Sequence, residues 1–350
     1  MKLGLSSRHY LSVRCRATVQ PCYRYIIPFF FDFVKTIFCR GGETLEKSCN
    51  ICPRECKADR SAGEIGYCGC PSDAVVSHVS RHFFEEPPIS GKNGSGTVFF
   101  GGCNLRCVFC QNRDISRSVE GKHLNADSLS ELFLEIADSG VHNVNLVTPT
   151  PYAPVIAGAL EKVKHRINVP IVYNTSSYEK AEVIDMLSGL VDIYLPDIKY
   201  FADELSVRYS NAPHYAEVAF SALERMLSQH PKFVLDENGI LKKGVIVRHL
   251  CLPSASKDSI NLLDRLSKYL DKYDFRLSLM SQYTPDFLGE ISEKYKEINR
   301  RVTSLEYNRV LNAATSLGFD GYFQGREAAS AKYTPNFDPI AFGEREIIEI

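Results

Sequence analysis

Three cysteines, Cys103, Cys107 and Cys110, stand within the stretch GGCNLRCVFCQN (101–112). Thiolates at such short gaps serve metals, disulfides or redox exchange. Cys107 and Cys110 have the spacing of a dithiol motif, but that pairing leaves Cys103 without a role. Three thiolates can hold three irons of a 4Fe-4S cube and leave the fourth iron open to a small molecule, whereas clusters that only carry electrons normally have four. A structural zinc also wants four ligands, and no histidine follows at the usual finger spacing, the next being His123. The triad predicts an iron–sulfur centre with one open coordination position.

A second group lies upstream. Cys49, Cys52, Cys56 and Cys68 follow the pattern C-x2-C-x3-C-x11-C, with Cys70 close by. Four thiolates close a structural zinc site or an auxiliary iron–sulfur cluster equally well, and spacing alone does not choose between them. Pro53, Gly63, Gly66 and Gly69 suit the tight turns of such a knuckle. Eight of the 12 cysteines fall between residues 49 and 110 of a 350-residue chain, which is the crowding of a metal protein and not the framework of a small secreted domain. Cys251 follows an apolar strand and reads as a small buried hydrophobe; Cys15, Cys22 and Cys39 read as free thiols.

The elements that must position these groups alternate from Thr97 onward. Apolar, β-branched runs at 97–100, 143–147, 170–174, 191–195, 244–249 and 276–282 are separated by helix-period segments, the pattern of parallel strands with helical crossovers. One such helix starts near Ser128 and stops at Gly140, another starts at Ser256 or Ser259, and a last one covers SLEYNRVLNAATSLG. Six strand–helix units fit a doubly wound sheet or an incompletely closed barrel, and in either the chemistry sits at the carboxyl ends of the strands. The polar residues fall there: the triad after strand one, Thr148 and Thr150 after strand two, Asn174 to Ser177 after strand three, Asp197 and Lys199 after strand four, Arg248 and His249 at the end of strand five, and Gln282 at the end of strand six. Thr148, Thr150, Asn174, Asp197, Lys199 and Arg248 are the candidate cofactor-binding residues.

Plainer roles exist for several of these. Asp197 and Lys199 suit an ion pair at a strand end. Asn174, Thr175 and Ser176 suit a helix cap. Arg248 can grip a carboxylate or pair with an acidic side chain. His249 reads as a satisfied interior histidine, and Glu85 and Glu86, before two prolines, as a solvated loop.

Lys and Arg number 41 against 42 Asp and Glu, a net charge of −1, so no overall field favours nucleic acid or an anionic membrane as partner. The first acidic residue is Asp32, after five arginines and lysines, so residues 1–47 read as a basic leader: an organellar presequence, or simply a basic start. Its run IIPFFFDFVKTIF is too short and too polar to span a bilayer. The chain divides into this leader, a cysteine-rich extension at 48–96, a barrel at 97–326 and a tail at 327–350.

CNLRCVFC, with Phe109 before the third cysteine, resembles the CxxxCxΦC loop of the radical S-adenosylmethionine enzymes. The wider stretches CNICPRECKADRSAGEIGYCG, HFFEEPPISGKNGSGTVFF, VTPTP, YNTSSYE, YLPDIKY, VRHLCLP and LMSQYTP resemble uncharacterised homologues of pyruvate formate-lyase activating enzyme, over about residues 48–326. The resemblance implies an incomplete (β/α)6 barrel with a cysteine-rich extension. It implies a 4Fe-4S cluster on Cys103, Cys107 and Cys110, whose open iron chelates S-adenosylmethionine. One electron then cleaves that cofactor to methionine and a 5′-deoxyadenosyl radical, which takes hydrogen from substrate. It places Asp197 and Lys199 at a DxK motif near the cofactor. The family's activases carry Gly-Gly-Glu after strand two, where this chain reads VTPTP, a departure that bears on whether the substrate is a glycyl radical enzyme. The expected activity is thus hydrogen abstraction from a protein glycine, or from a small molecule or cofactor precursor; a cluster carrier without chemistry is the non-enzymatic alternative. A low-potential donor of flavodoxin or ferredoxin type is the expected partner. The cytoplasm is the expected compartment, an organellar matrix the alternative.

Overall fold

The computed structural model describes residues 48–325. The leader with Cys15, Cys22 and Cys39, and the tail, lie outside the described residues. Ten strands form one sheet: β1 (Ala74–His82), β2 (Ser95–Phe100), β3 (Lys122–Leu124), β4 (Val144–Val147), β5 (Ile171–Thr175), β6 (Ile193–Pro196), β7 (Val234–Leu235), β8 (Leu241–Leu250), β9 (Arg276–Met280) and β10 (Gly321–Phe323). The six expected strands are β2, β4, β5, β6, β8 and β9, and they pair in that order, all parallel. Every residue of β2, β4, β5 and β6 is buried, which is why these runs read as apolar on both faces and not as an alternation.

The helices cover the outer face. In α1 (Ala126–Asp138) the buried Leu129, Leu132, Phe133 and Ile136 recur at the 3.6-residue period, and each fully buried Leu or Phe contributes about 1.5–3 kcal/mol relative to exposure. The cap of this helix lies three residues earlier than the sequence suggested. Asn125, not Ser128, caps it, accepting from the backbone N–H groups of Asp127 and Ser128 at 3.1 and 3.0 Å. Nor do Ser256 and Ser259 cap α2 (Ser256–Ser267): no side chain caps it, and the Ser259 hydroxyl is engaged by His249 instead. The last helix, α3 (Ser304–Ser316), carries a full capping box between Thr303 and Glu306. Among the described residues no helix is long and apolar enough to cross a membrane.

Two features extend the expected six units. β10 adds a parallel strand beside β9. At the opposite edge β1 runs antiparallel to β2, with β3 outside it, so the line drawn at residue 96 falls inside one sheet. β1 alternates too weakly to announce itself: AVVSHVSRH is buried over most of its length because it is covered on both faces.

Candidate active site

The triad loop leaves the carboxyl end of β2 through Gly101 and Gly102. Gly102 has φ +79°, and a Cβ there would meet Cys70 Sγ at 2.4 Å and the Cys68 carbonyl at 2.8 Å. Only glycine lets the extension lie directly on this loop. Cys103 and Cys107 are buried and Cys110 is half-buried. The Leu105 N–H points at Cys103 Sγ at 3.3 Å, and the Ser210 hydroxyl donates to Cys107 Sγ at 3.0 Å. Phe109 packs edge-on against Tyr200, Tyr209 and Tyr283, with ring centroids 6.4, 6.2 and 5.9 Å away, which fixes the loop between its second and third cysteines.

The three cysteines open onto a cavity of 210 Å³ that the strand ends enclose. It is lined from six parallel strands in turn, by Phe99, Val147 and Thr148, Asn174, Asp197 and Lys199, Arg248, and Met280 with Gln282, so the sheet curls around it as a barrel does. A wider cleft at Asp203, Arg208, Lys294 and Tyr295 lies apart and carries no thiol.

The rim groups form one network. Arg248 donates from Nε to Asp197 Oδ1 at 2.8 Å, from Nη1 to Glu85 Oε2 at 2.9 Å and from Nη2 to Asn174 Oδ1 at 2.5 Å. Lys199 Nζ reaches the other oxygen of Asp197 at 2.6 Å. Glu85 also accepts from Asn145 at 3.0 Å and Asn174 at 3.3 Å. Burial alone pushes the Asp197 carboxyl up, but the flanking Arg248 and Lys199 outweigh it and hold the group below its ordinary range. Burial likewise works against the charge on Lys199, and Asp197 and Cys107 more than restore it. Next to this network Glu86 is buried, and burial raises its carboxyl despite the nearby Arg248.

Five of the six rim candidates therefore meet at one cavity. Thr150 does not: it is buried outside the lining, its hydroxyl given to Glu179 at 2.7 Å. Thr148 lines the cavity with φ +60°, a left-handed conformation unusual for a β-branched residue. That is a conformation glycine adopts freely, at the place where the activases named above carry glycines. His249 is interior, as read: Nδ1–H donates to the Ile198 carbonyl at 2.7 Å and Nε2 accepts from Ser259 at 2.8 Å. The solvated-loop reading of Glu85 and Glu86 is overturned, since one belongs to the network and the other is buried. His82 and Phe84 reach the cavity too, carried there by β1 and the loop after it, an element whose pairing the sequence did not announce.

The donor set fits an iron–sulfur cluster. Burial and the neighbouring Cys107 raise the Cys103 thiol, and burial with Cys107 and Cys103 pushes Cys110 up to about 12. Thiols packed this closely become anionic together only against concentrated positive charge.

The sequence model of the Radical SAM superfamily matches residues 97–236. The chain is similar to that superfamily over this segment. The match begins within β2 and includes the triad, Asn174, Asp197 and Lys199, and the superfamily is one that implies a 4Fe-4S cluster and S-adenosylmethionine. An uncharacterised protein of Methanocaldococcus jannaschii is 29% identical over 306 residues, covering 85% of this chain and 81% of its own length. Streptococcus suis SuiB bound to precursor peptide SuiA is 16% identical, with a TM-score of 0.43, covering 64% of this chain and 46% of that one. Methylornithine synthase is 15% identical, with a TM-score of 0.40, covering 61% and 59%. The chain thus spans about half the length of these solved structures.

Proposed function

We propose that this protein cleaves S-adenosylmethionine reductively and takes a hydrogen atom from a substrate held at the barrel mouth. The observation that carries the reading is the meeting, in one cavity, of three thiols and the Asp197, Lys199, Asn174 and Arg248 network. When bound, the cluster and S-adenosylmethionine supply a 5′-deoxyadenosyl radical. Cys103, Cys107 and Cys110 would hold the cluster, three protein ligands being one fewer than a cube that only carries electrons normally takes. Lys199 and Asp197 present a cation and an anion to the zwitterionic end of the cofactor. Asn174 and the backbone at Thr148 offer it uncharged hydrogen bonds. Arg248, with each of its three nitrogens donating inside the protein, positions Asp197, Glu85 and Asn174.

Two substrate classes remain. The exposed Phe84, which lines the cavity, favours a polypeptide, as in the activases that the sequence resembles. The VTPTP segment favours a small molecule or cofactor precursor instead. The electron comes from a low-potential flavodoxin- or ferredoxin-type donor. Four thiols of the extension, Cys49, Cys52, Cys56 and Cys68, hold a second metal centre.

Electron paramagnetic resonance of the reduced, reconstituted protein tests cofactor binding. S-adenosylmethionine is expected to change the signal of the wild type and to change that of Asp197→Ala only at a concentration at least about tenfold higher, the loss of roughly 1.4 kcal/mol of binding. A wild-type signal indifferent to S-adenosylmethionine would leave only the carrier reading.

A further inference from the structure

We infer that Glu179 is a positioning residue for the cofactor cavity: its buried carboxylate ties the turn after β4 to the end of β5 and so sets the two walls that carry Thr148 and Asn174. The inference rests on the reading just given, that this cavity takes S-adenosylmethionine. Glu179 is 1% exposed and does not itself line the cavity. Its Oε1 accepts from the hydroxyls of Thr150, at 2.7 Å, and of Thr175, and its Oε2 accepts from the Tyr173 hydroxyl at 3.3 Å. Thr150 belongs to the turn after β4, Tyr173 and Thr175 to β5.

The turns after β4 and β5 are both held in conformations that their residues do not favour. Thr148 has φ +60° and Ser177 φ +62°, each a left-handed backbone without a glycine. Such strain persists only where the surroundings over-determine it. Thr148 donates its N–H to the Asn174 carbonyl at 3.1 Å. The turn that follows is pinned by Thr150 on Glu179, by the Pro151 carbonyl accepting from Arg60 at 2.8 Å and by the Tyr152 hydroxyl donating to the Gly101 carbonyl at 2.9 Å. Ser177 donates its N–H to Thr175 Oγ1 at 3.1 Å, and its carbonyl accepts from the Glu179 N–H at 2.9 Å. The carboxylate joins these two strained turns, whose residues Thr148, Thr175 and Ser176 line the cavity.

Stability does not account for a carboxylate at this place. Among the described residues no lysine, arginine or histidine acts on it; burial pushes the carboxyl up, and only the three hydroxyls oppose this. A buried charge without a counter-ion costs the fold free energy that an apolar side chain of similar volume would not. Asp197 differs, since it faces the cavity between Arg248 and Lys199. What a carboxylate does at Glu179 and an apolar group cannot is hold hydroxyls from two separate elements on one oxygen.

The test is equilibrium dialysis of radiolabelled S-adenosylmethionine against the cluster-loaded, unreduced full chain, which reads binding without the radical reaction, beside a urea midpoint for each protein. Glu179→Leu is expected to keep a midpoint at or above that of the wild type and to bind at least about tenfold more weakly. Thr150→Val is expected to bind about three- to tenfold more weakly, and the double variant no more weakly than Glu179→Leu, since Thr150 acts through Glu179. Glu179→Gln, whose Oε1 still accepts from Thr150 and Thr175, is expected to stay within about threefold of the wild type. Wild-type affinity in Glu179→Leu or Thr150→Val, losses that add in the double variant, or a Glu179→Gln no better than Glu179→Leu would overturn the inference while leaving the proposed cofactor site intact. A wild type that binds no S-adenosylmethionine would take both down. Should Glu179→Leu fail to fold, Thr150→Val against the wild type decides by the same criterion.

Discussion

At the scale of single residues, Arg248 does the most to organise the cavity. Its side chain is 13% exposed and sits between carboxylates that are 11% and 19% exposed, so removing it leaves Glu85 without its cation and Asp197 with Lys199 alone. Arg248→Ala is expected to lower the free energy of unfolding by about 3–5 kcal/mol, measured by urea denaturation. Its neighbour His249 has a different consequence. Burial pulls this imidazole down to about 4, below the ordinary value near 6.5. A depressed histidine contributes stability that is present above about pH 6.5 and is lost as the pH falls toward 4, roughly 3 kcal/mol over that window. Unfolding free energies between pH 7 and pH 4.5 are expected to fall more steeply in the wild type than in His249→Asn. At this scale the sequence was informative where partners are close along the chain: Asp197 and Lys199 were legible as a pair. Glu85 was not, because its cation lies 163 residues away and nothing local distinguishes a carboxylate that will be buried from one that will be solvated.

At the scale of elements, the contact between the cysteine-rich extension and the triad loop decides whether the site forms. Gly102 is the point of closest approach. Gly102→Ala combines a left-handed backbone with a clash on Cys70 and the Cys68 carbonyl, and about 1–3 kcal/mol of destabilisation is the lower bound. The variant is expected to show a lower urea midpoint and to lose iron faster on gel filtration; a wild-type midpoint would mean that the extension does not press on the loop. The buried parallel strands were readable because both faces are apolar. The starts of two helices were not, since several polar residues near each start compete to cap it, and only the packed geometry selects Asn125 over Ser128 and assigns Ser259 to His249. β1 escaped because it is mixed in pattern and paired with a strand that the sequence places in another unit.

For the molecule as a whole, the sheet is a frame that brings residues from six strand ends to one cavity and seals its first edge with the extension. The match to the Radical SAM superfamily covers residues 97–236, but Arg248, Met280 and Gln282 lie beyond it and Glu85 before it, so the cavity belongs to the full described chain. Substrate choice stayed out of reach of sequence reading because the reactive species comes from the cofactor, while selectivity rests on mouth residues such as His82, Phe84 and Gln282 that no motif marks. The reaction proposed for these residues is reductive cleavage of S-adenosylmethionine. Its most direct test is 5′-deoxyadenosine formation by the anaerobically reconstituted, reduced protein, beside Cys107→Ala. Product is expected from the wild type and none above background from the variant; equal product from both, or none from a wild type verified to carry its cluster and supplied with its substrate, would rule this reaction out.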